Sequence, residues 1–400
     1  MAAETAPGPR QPLWFLSLLA LAAAGGAVAY VPFLTVLLPL RVVSLTGSED
    51  VVALSFATFL GAVVASLANI GFGWLSDRTG SRRGWILAGL VSSSLLLLLF
   101  GQVETVRQLV VLIMAWQLGL NMMLGPLAAW AGDCVPDEQK GLLGGLFAFA
   151  PALGALSGAF VTIPGLADGQ ERLALVALLV AAMVLPALVV GKGRSLPHLT
   201  MPTDSAAGSP ADPFKQRRII GNMWFARLLV QVSEAALFAF LLFWLRSITP
   251  GFGEDRAARI FSLVLIIAVP IALVAGRWSD KARRPMLPLA ICAGLSSLGL
   301  LAMALSSSLN GALGGYFLFG VSSMTFLALH SGQTLRVLPR PQHRGRDLGF
   351  FNLTNTVPSL IIPGLTLTLV PVFGFSALFL LLAALAALAC VLIAIISRPI

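Results

Sequence analysis

Within the apolar stretch ARLLVQVSEAALFAF (226–240), three polar side chains recur at helical spacing: Arg227, Gln231 and Glu234. At about 100° per residue, Glu234 returns to within about 20° of Arg227, so all three share one helix face. About 10 Å of rise separates the two charges, too far for direct pairing without a bridge such as Gln231, water or a bound solute. A charge carried into a bilayer at this depth faces a bundle interior or a water-filled cavity. Glu234 is therefore the expected proton-accepting group, and Arg227 a candidate coupling or substrate residue that leaves room for an anionic group. The plainer alternative for both is an ion pair with a residue elsewhere in the bundle. Further polar groups sit in apolar runs: Tyr30, Gln117 with Asn121 one turn later, His330, and Asn352 with Asn355 and Thr356. Each is a candidate for touching a solute. The alternative is that the amides only join helices and that His330 is a hydrogen-bonded structural histidine. No metal-ligand spacing, phosphate-cradling loop or nucleophile beside a base occurs, so no enzyme, cofactor or metal is expected.

The elements that must position these groups follow from composition. Apolar residues make up 58% of the chain and charged ones 11%, with a mean hydropathy of +0.91. A soluble domain carries about a quarter of its residues as charges, so this chain belongs in a bilayer. A spanning helix needs about 20 apolar residues, and twelve segments meet that need: 13–40, 51–75, 85–103, 107–131, 142–165, 172–190, 219–246, 257–276, 285–306, 311–335, 347–371 and 374–397. These runs are too long, and alternate too little, to be barrel strands. The fold class expected is an all-α membrane protein of twelve transmembrane helices in two pseudo-symmetric six-helix bundles. The first run is longer than the apolar core of a signal peptide and reads as the first span.

The net charge of +9 does not point to nucleic acid, because no basic block or basic amphipathic arm is present. The basic residues punctuate the spans instead. With both termini placed in the cytoplasm, that side holds Arg10, Arg78, Arg82, Arg83, Lys140, the basic residues of 191–218, Arg277, Lys281, Arg283, Arg284, Arg336, Arg340, Arg344, Arg346 and Arg398. The opposite side holds only Arg41, Arg107, Arg172, Arg246, Arg256 and Arg259. That asymmetry is the positive-inside pattern. The Pro-, Ser- and Gly-rich stretch 191–218 reads as a cytoplasmic linker between an N-terminal bundle at 1–190 and a C-terminal bundle at 219–400. Too short for a nucleotide-binding domain, it excludes an ATP-driven pump. Three cysteines make no disulfide framework: Cys134 is expected in a short loop, Cys292 and Cys390 within spans.

The halves repeat one another. Gly276 and Asp280 lie 203 positions after Gly73 and Asp77, and Pro339 lies 203 after Pro136. Parallel six-helix repeats characterise one transporter architecture, with a solute site near the midplane. The segment GFGWLSDRTGSRRGWIL (71–87) resembles the signature of the major facilitator family, G-x-x-x-D-R-x-G-x-R-R, at Gly73, Asp77, Arg78, Gly80, Arg82 and Arg83. A second copy, GRWSDKARRP (276–285), keeps Gly276, Asp280, Lys281, Arg283 and Arg284 but lacks the glycine. The resemblance implies a secondary transporter working by alternating access, in which this cluster latches the cytoplasmic side shut. Without the resemblance, Arg82 and Arg83 are only positive-inside residues.

Two further segments, DCVPDEQKG (133–141) and RGRDLGFFNLTNTVP (344–358), resemble the branch of glycoside, pentoside and sucrose cation symporters. Spans two and four contain no Asp or Glu, so that branch's sodium site does not carry over. The drug-proton antiporter branch is matched only in part, by the glycines Gly145, Gly154 and Gly158. The expected protein is a monomeric, proton-coupled carrier in the plasma membrane for a small organic solute, a sugar or glycoside. The alternatives are a proton-driven efflux carrier for amphipathic compounds and a non-transporting membrane scaffold on a degenerate carrier fold.

Overall fold

The computed structural model describes residues 10–47, 51–196, 199, 213–338 and 341–397. Most of the 191–218 linker lies outside the described residues, as do Pro339, Arg340 and Arg398. The described residues form twelve long helices and no strands. These are α1 (Leu13–Thr46), α2 (Val51–Thr79), α3 (Arg82–Leu99), α4 (Val106–Cys134), α5 (Lys140–Phe147 and Phe149–Val161) and α6 (Gly169–Val190). They continue as α7 (Pro213–Ile248), α8 (Glu254–Ala282), α9 (Leu287–Leu305) and α10 (Leu309–Val337), then α11 (344–373) and α12 (375–397). The last two run on as Arg344–Ser397 across Gly374, whose φ of 74° breaks the helical path. Cys134, expected in a loop, is the last residue of α4.

Local sequence explains the starts and breaks. Thr105 and Gln108 cap α4 reciprocally, as Asp168 and Glu171 cap α6, satisfying donors that a helix start leaves open. Pro32 removes an N–H from α1, and a π-helical turn follows at Phe33–Leu37. Pro151 has no N–H for the carbonyl of Phe147; α5, read from sequence as one run, breaks at Ala148. Ten helices among the described residues are long and apolar enough to cross a bilayer by composition. Of the other two, α7 carries Arg227, Gln231 and Glu234, and α11 carries Asn352, Thr354 and Asn355. Large apolar side chains such as Leu67 on α2, Leu178 on α6, Ile266 on α8 and Leu305 on α9 are exposed, which suits acyl chains rather than water.

The chain divides into two compact units. One holds the described residues up to Lys140, those of 149–206, and 340–350; the other holds 141–148, those of 207–339, and 351 onward. Each thus includes a short segment from the other half of the sequence. In the first unit, α4 packs on α2 and α3, α1 packs on α6 and the later part of α5, and α3 meets α6. In the second, α10 packs on α8, α9 and α7. There α12 accepts bonds from Ser233 of α7 and Ser297 of α9 at its carbonyls of Leu382 and Ala383. The helix pairings of the first unit recur in the second. The second unit's apolar core includes Leu237, Trp244, Leu300, Phe319, Phe379 and Leu382, with Trp244 edge-on to Phe379 at 4.8 Å.

Candidate functional site

In the first unit, Asp77 accepts from the backbone N–H of Gly345 and of Arg346, both at 2.9 Å. These are first-turn donors of the helix that starts at Arg344, groups with no partner inside the helix, at its positive end. Arg82 pairs with Asp77 at 2.6 Å and reaches Asp133 at 2.9 Å. Arg344 pairs with the other oxygen of Asp133 at 2.6 Å. The result is a chain of alternating charges, Asp77–Arg82–Asp133–Arg344. Gly73 and Gly345 make the approach possible, because a Cβ on either would overlap the other's carbonyl group. Gly80 ends α2 at φ 64°, a conformation glycine adopts without steric cost. Arg83 donates to the carbonyl of Gly191 at 2.6 Å and lies over Trp130, while exposed Arg78 lies over Trp74.

The second unit holds the counterpart. Asp280 accepts from the N–H groups of Gly141 at 3.0 Å and Leu142 at 2.8 Å, the first turn of the helix starting at Lys140. Gly276 and Gly141 again meet where a Cβ on either would overlap the other's carbonyl. The cation at Asp280 is Arg336, at 3.1 Å, whereas Arg283 and Arg284 are exposed. Arg336 stands 203 positions after Asp133, so the copies carry opposite charges at equivalent places: one reaches its aspartate through Arg82, the other directly. Arg283 stands 203 after Gly80 and takes its conformation, with φ 52°, the one positive φ of a non-glycine among the described residues.

The intramembrane polar groups of α7, α10 and α11 meet within the second unit. Arg227 donates from Nε to Thr354 Oγ1 at 3.1 Å, from Nη1 to Ser331 Oγ at 3.1 Å and the Leu327 carbonyl at 3.4 Å, and from Nη2 to Asn355 Oδ1 at 3.3 Å. The ring of His330 is fully buried, with Nε2 2.9 Å from the carbonyl of Met223. A carbonyl only accepts, so the neutral ring carries its proton on Nε2. Its Nδ1 is then an acceptor facing Arg227 Nη1 at 3.4 Å. All five acceptors around this guanidinium are neutral, and among the described residues no carboxylate lies within ion-pair distance of it. Glu234 accepts from Gln231 Nε2 at 2.8 Å; the Gln231 Oε1 atom is buried and has no hydrogen-bond partner. Asn355 donates to Asn352 at 2.7 Å.

Gln117 and Asn121 belong to the first unit. Asn69 of α2 donates to Asn121 at 3.0 Å, and Asn121 donates to the backbone and side-chain oxygens of Gln117. All three are buried. Tyr30 lies on α1, two residues before Pro32, and is exposed. A groove of about 360 Å³ on α2 and α4, lined by residues such as Leu67, Phe72 and Leu118, is apolar and offers no chemistry. Asn69, Asp133, Ser331 and Thr354 were not singled out in the sequence. The 203-residue spacing that aligns Asp133 with Arg336 is the signal that could have found one of them.

Twelve helices in two units of like internal packing, each with an aspartate seated on a glycine-lined helix start, define a polytopic membrane transporter. The chain belongs to the Major Facilitator Superfamily, whose family model matches residues 13–337. The fold is that of the human organic anion transporter MFSD10 (TETRAN), with a TM-score of 0.74 at 14% identity over 94% of this chain and 98% of that one. It is likewise similar to a bacterial homologue of the iron transporter ferroportin, crystallised in an outward-facing state with soaked iron. There the TM-score is 0.68 at 16% identity over 96% and 99%. Comparison with curated protein sequences finds no match.

Proposed function

We propose that this protein is a proton-coupled secondary transporter that carries a small organic anion by alternating access. It acts as a monomer in the plasma membrane with both termini cytoplasmic. The observation that carries the reading is Arg227, a guanidinium in a membrane helix surrounded by neutral acceptors and lacking a carboxylate partner among the described residues. A buried charge without a counter-ion is costly, and an anionic solute supplies one. The human protein of like fold is an organic anion transporter, which agrees with this reading. A sugar acid also satisfies the resemblance to the glycoside branch.

Glu234, on the same face and tied to Gln231, takes the coupling proton. Asp77 and Asp280 act as paired cytoplasmic latches: each holds a helix start through two N–H groups, and their release accompanies the change of access. Purified protein in liposomes should accumulate a radiolabelled sugar acid such as gluconate when a pH gradient is imposed, and collapse of the gradient should release it. Equal uptake with and without the gradient would sink the coupling. Failure of any organic anion to bind or move would sink the substrate class.

A further inference from the structure

The Arg227 face has a second unmet requirement. Gln231 spends its amide N–H on Glu234, leaving its Oε1 buried without a donor. Burying an acceptor unpaired costs free energy that any donor brought to it recovers. Gln231 lies one turn along α7 from Arg227, about 6 Å of rise, so a cation with no carboxylate at ion-pair distance and an orphan acceptor are carried one turn apart on the same helix. Asn355, which accepts from the guanidinium at Oδ1, gives its Nδ2 to Asn352.

We infer that the solute bound on this face is a carboxylate bearing a hydroxyl or ammonium donor several bonds from its anionic group, the anion meeting Arg227 and the donor meeting Gln231 Oε1. This rests on the organic-anion reading and narrows it. A simple monocarboxylate fills the Arg227 end and leaves Gln231 unsatisfied. An α-substituted acid carries its donor too close to its carboxylate to reach both. Glu234 beside Gln231 lets the same donor position accept a hydroxyl or an ammonium, and only the ammonium gains from the carboxylate's charge.

The experiment is a ligand titration of purified protein in nanodiscs, following the thermal unfolding midpoint with butyrate, γ-hydroxybutyrate, γ-aminobutyrate and glycolate. A ligand that binds the folded state raises the midpoint by mass action. γ-Hydroxybutyrate or γ-aminobutyrate should bind about tenfold more tightly than butyrate, and glycolate no better than butyrate. A preference for the amino over the hydroxy compound identifies the ammonium as the donor; the reverse identifies the hydroxyl. Gln231→Met, which keeps the volume and removes the acceptor, should bring both γ-substituted acids to the affinity of butyrate measured in the same variant. The wild-type series decides the matter if that variant folds poorly. Equal binding of butyrate and both γ-substituted acids overturns the inference and leaves the organic-anion reading standing. Absence of binding by all four carboxylates overturns both.

Discussion

Arg227 is held by residues of two other helices, and that arrangement decides what a substitution there does. A lysine keeps the charge but loses the fork that reaches Thr354, Ser331 and Asn355 together. Arg227→Lys should weaken an anionic ligand about tenfold, read by the same titration against the variant's own unliganded midpoint, which the lost bonds lower. Glu234→Gln mimics the protonated acid: accumulation driven by a pH gradient should disappear while exchange of solute across the membrane persists. Full accumulation by that variant would move the coupling elsewhere. The grouping of Arg227, Gln231 and Glu234 was legible because one helix carries all three at i, i+4 and i+7. Their partners were not, since Thr354 and Ser331 lie on α11 and α10 and single hydroxyls in apolar runs give no periodic signal. The same holds for Asn69, whose bond to Asn121 joins α2 to α4 and depends on which faces pack.

At the scale of elements, the two copies of the loop motif differ in residues and agree in geometry. The second copy reads as incomplete because a glycine is missing, yet its aspartate accepts two backbone N–H groups as the first does. The missing glycine is replaced by exposed Arg283 in the left-handed conformation, which costs an L-residue about 1–2 kcal/mol. Arg283→Gly should therefore raise the unfolding midpoint, by the equivalent of about 1 kcal/mol after glycine's own entropic cost. An unchanged or lowered midpoint would mean that the strain is absent. Charge–helix-end interactions contribute about 0.3–2 kcal/mol, so Asp77→Asn and Asp280→Asn should both slow transport without preventing insertion. The loss at Asp77 should be larger, because Arg82 ties it to Asp133 and Arg344. Transport rates in proteoliposomes, normalised to inserted protein, check this ordering.

For the whole molecule, span lengths made the twelve-helix class legible, because bilayer thickness imposes one length on every spanning helix, and the resemblance of 71–87 to the family signature made the family legible. The pairing of helices within each unit was not, because small apolar residues pack without a distinctive pattern. The exchange of short segments, 141–148 into one unit and 340–350 into the other, was equally hidden. It depends on glycine contacts between sequence-distant segments. Orientation is the whole-molecule property that the basic residues predict and that labelling tests. Native cysteines are poor reporters, since Cys292 is buried and Cys134 and Cys390 are only partly accessible. Replacing them with alanine and adding single cysteines at two exposed sites gives a clean readout. Ser81 lies between α2 and α3, and Glu104 between α3 and α4, so one membrane crossing separates them. With cytoplasmic termini, an impermeant thiol reagent added to intact cells should modify Glu104→Cys and spare Ser81→Cys until the membrane is opened. Labelling of Ser81→Cys alone would invert the topology and place the Asp77 cluster on the outer face. Labelling of both from outside would remove α3 from the set of spanning helices.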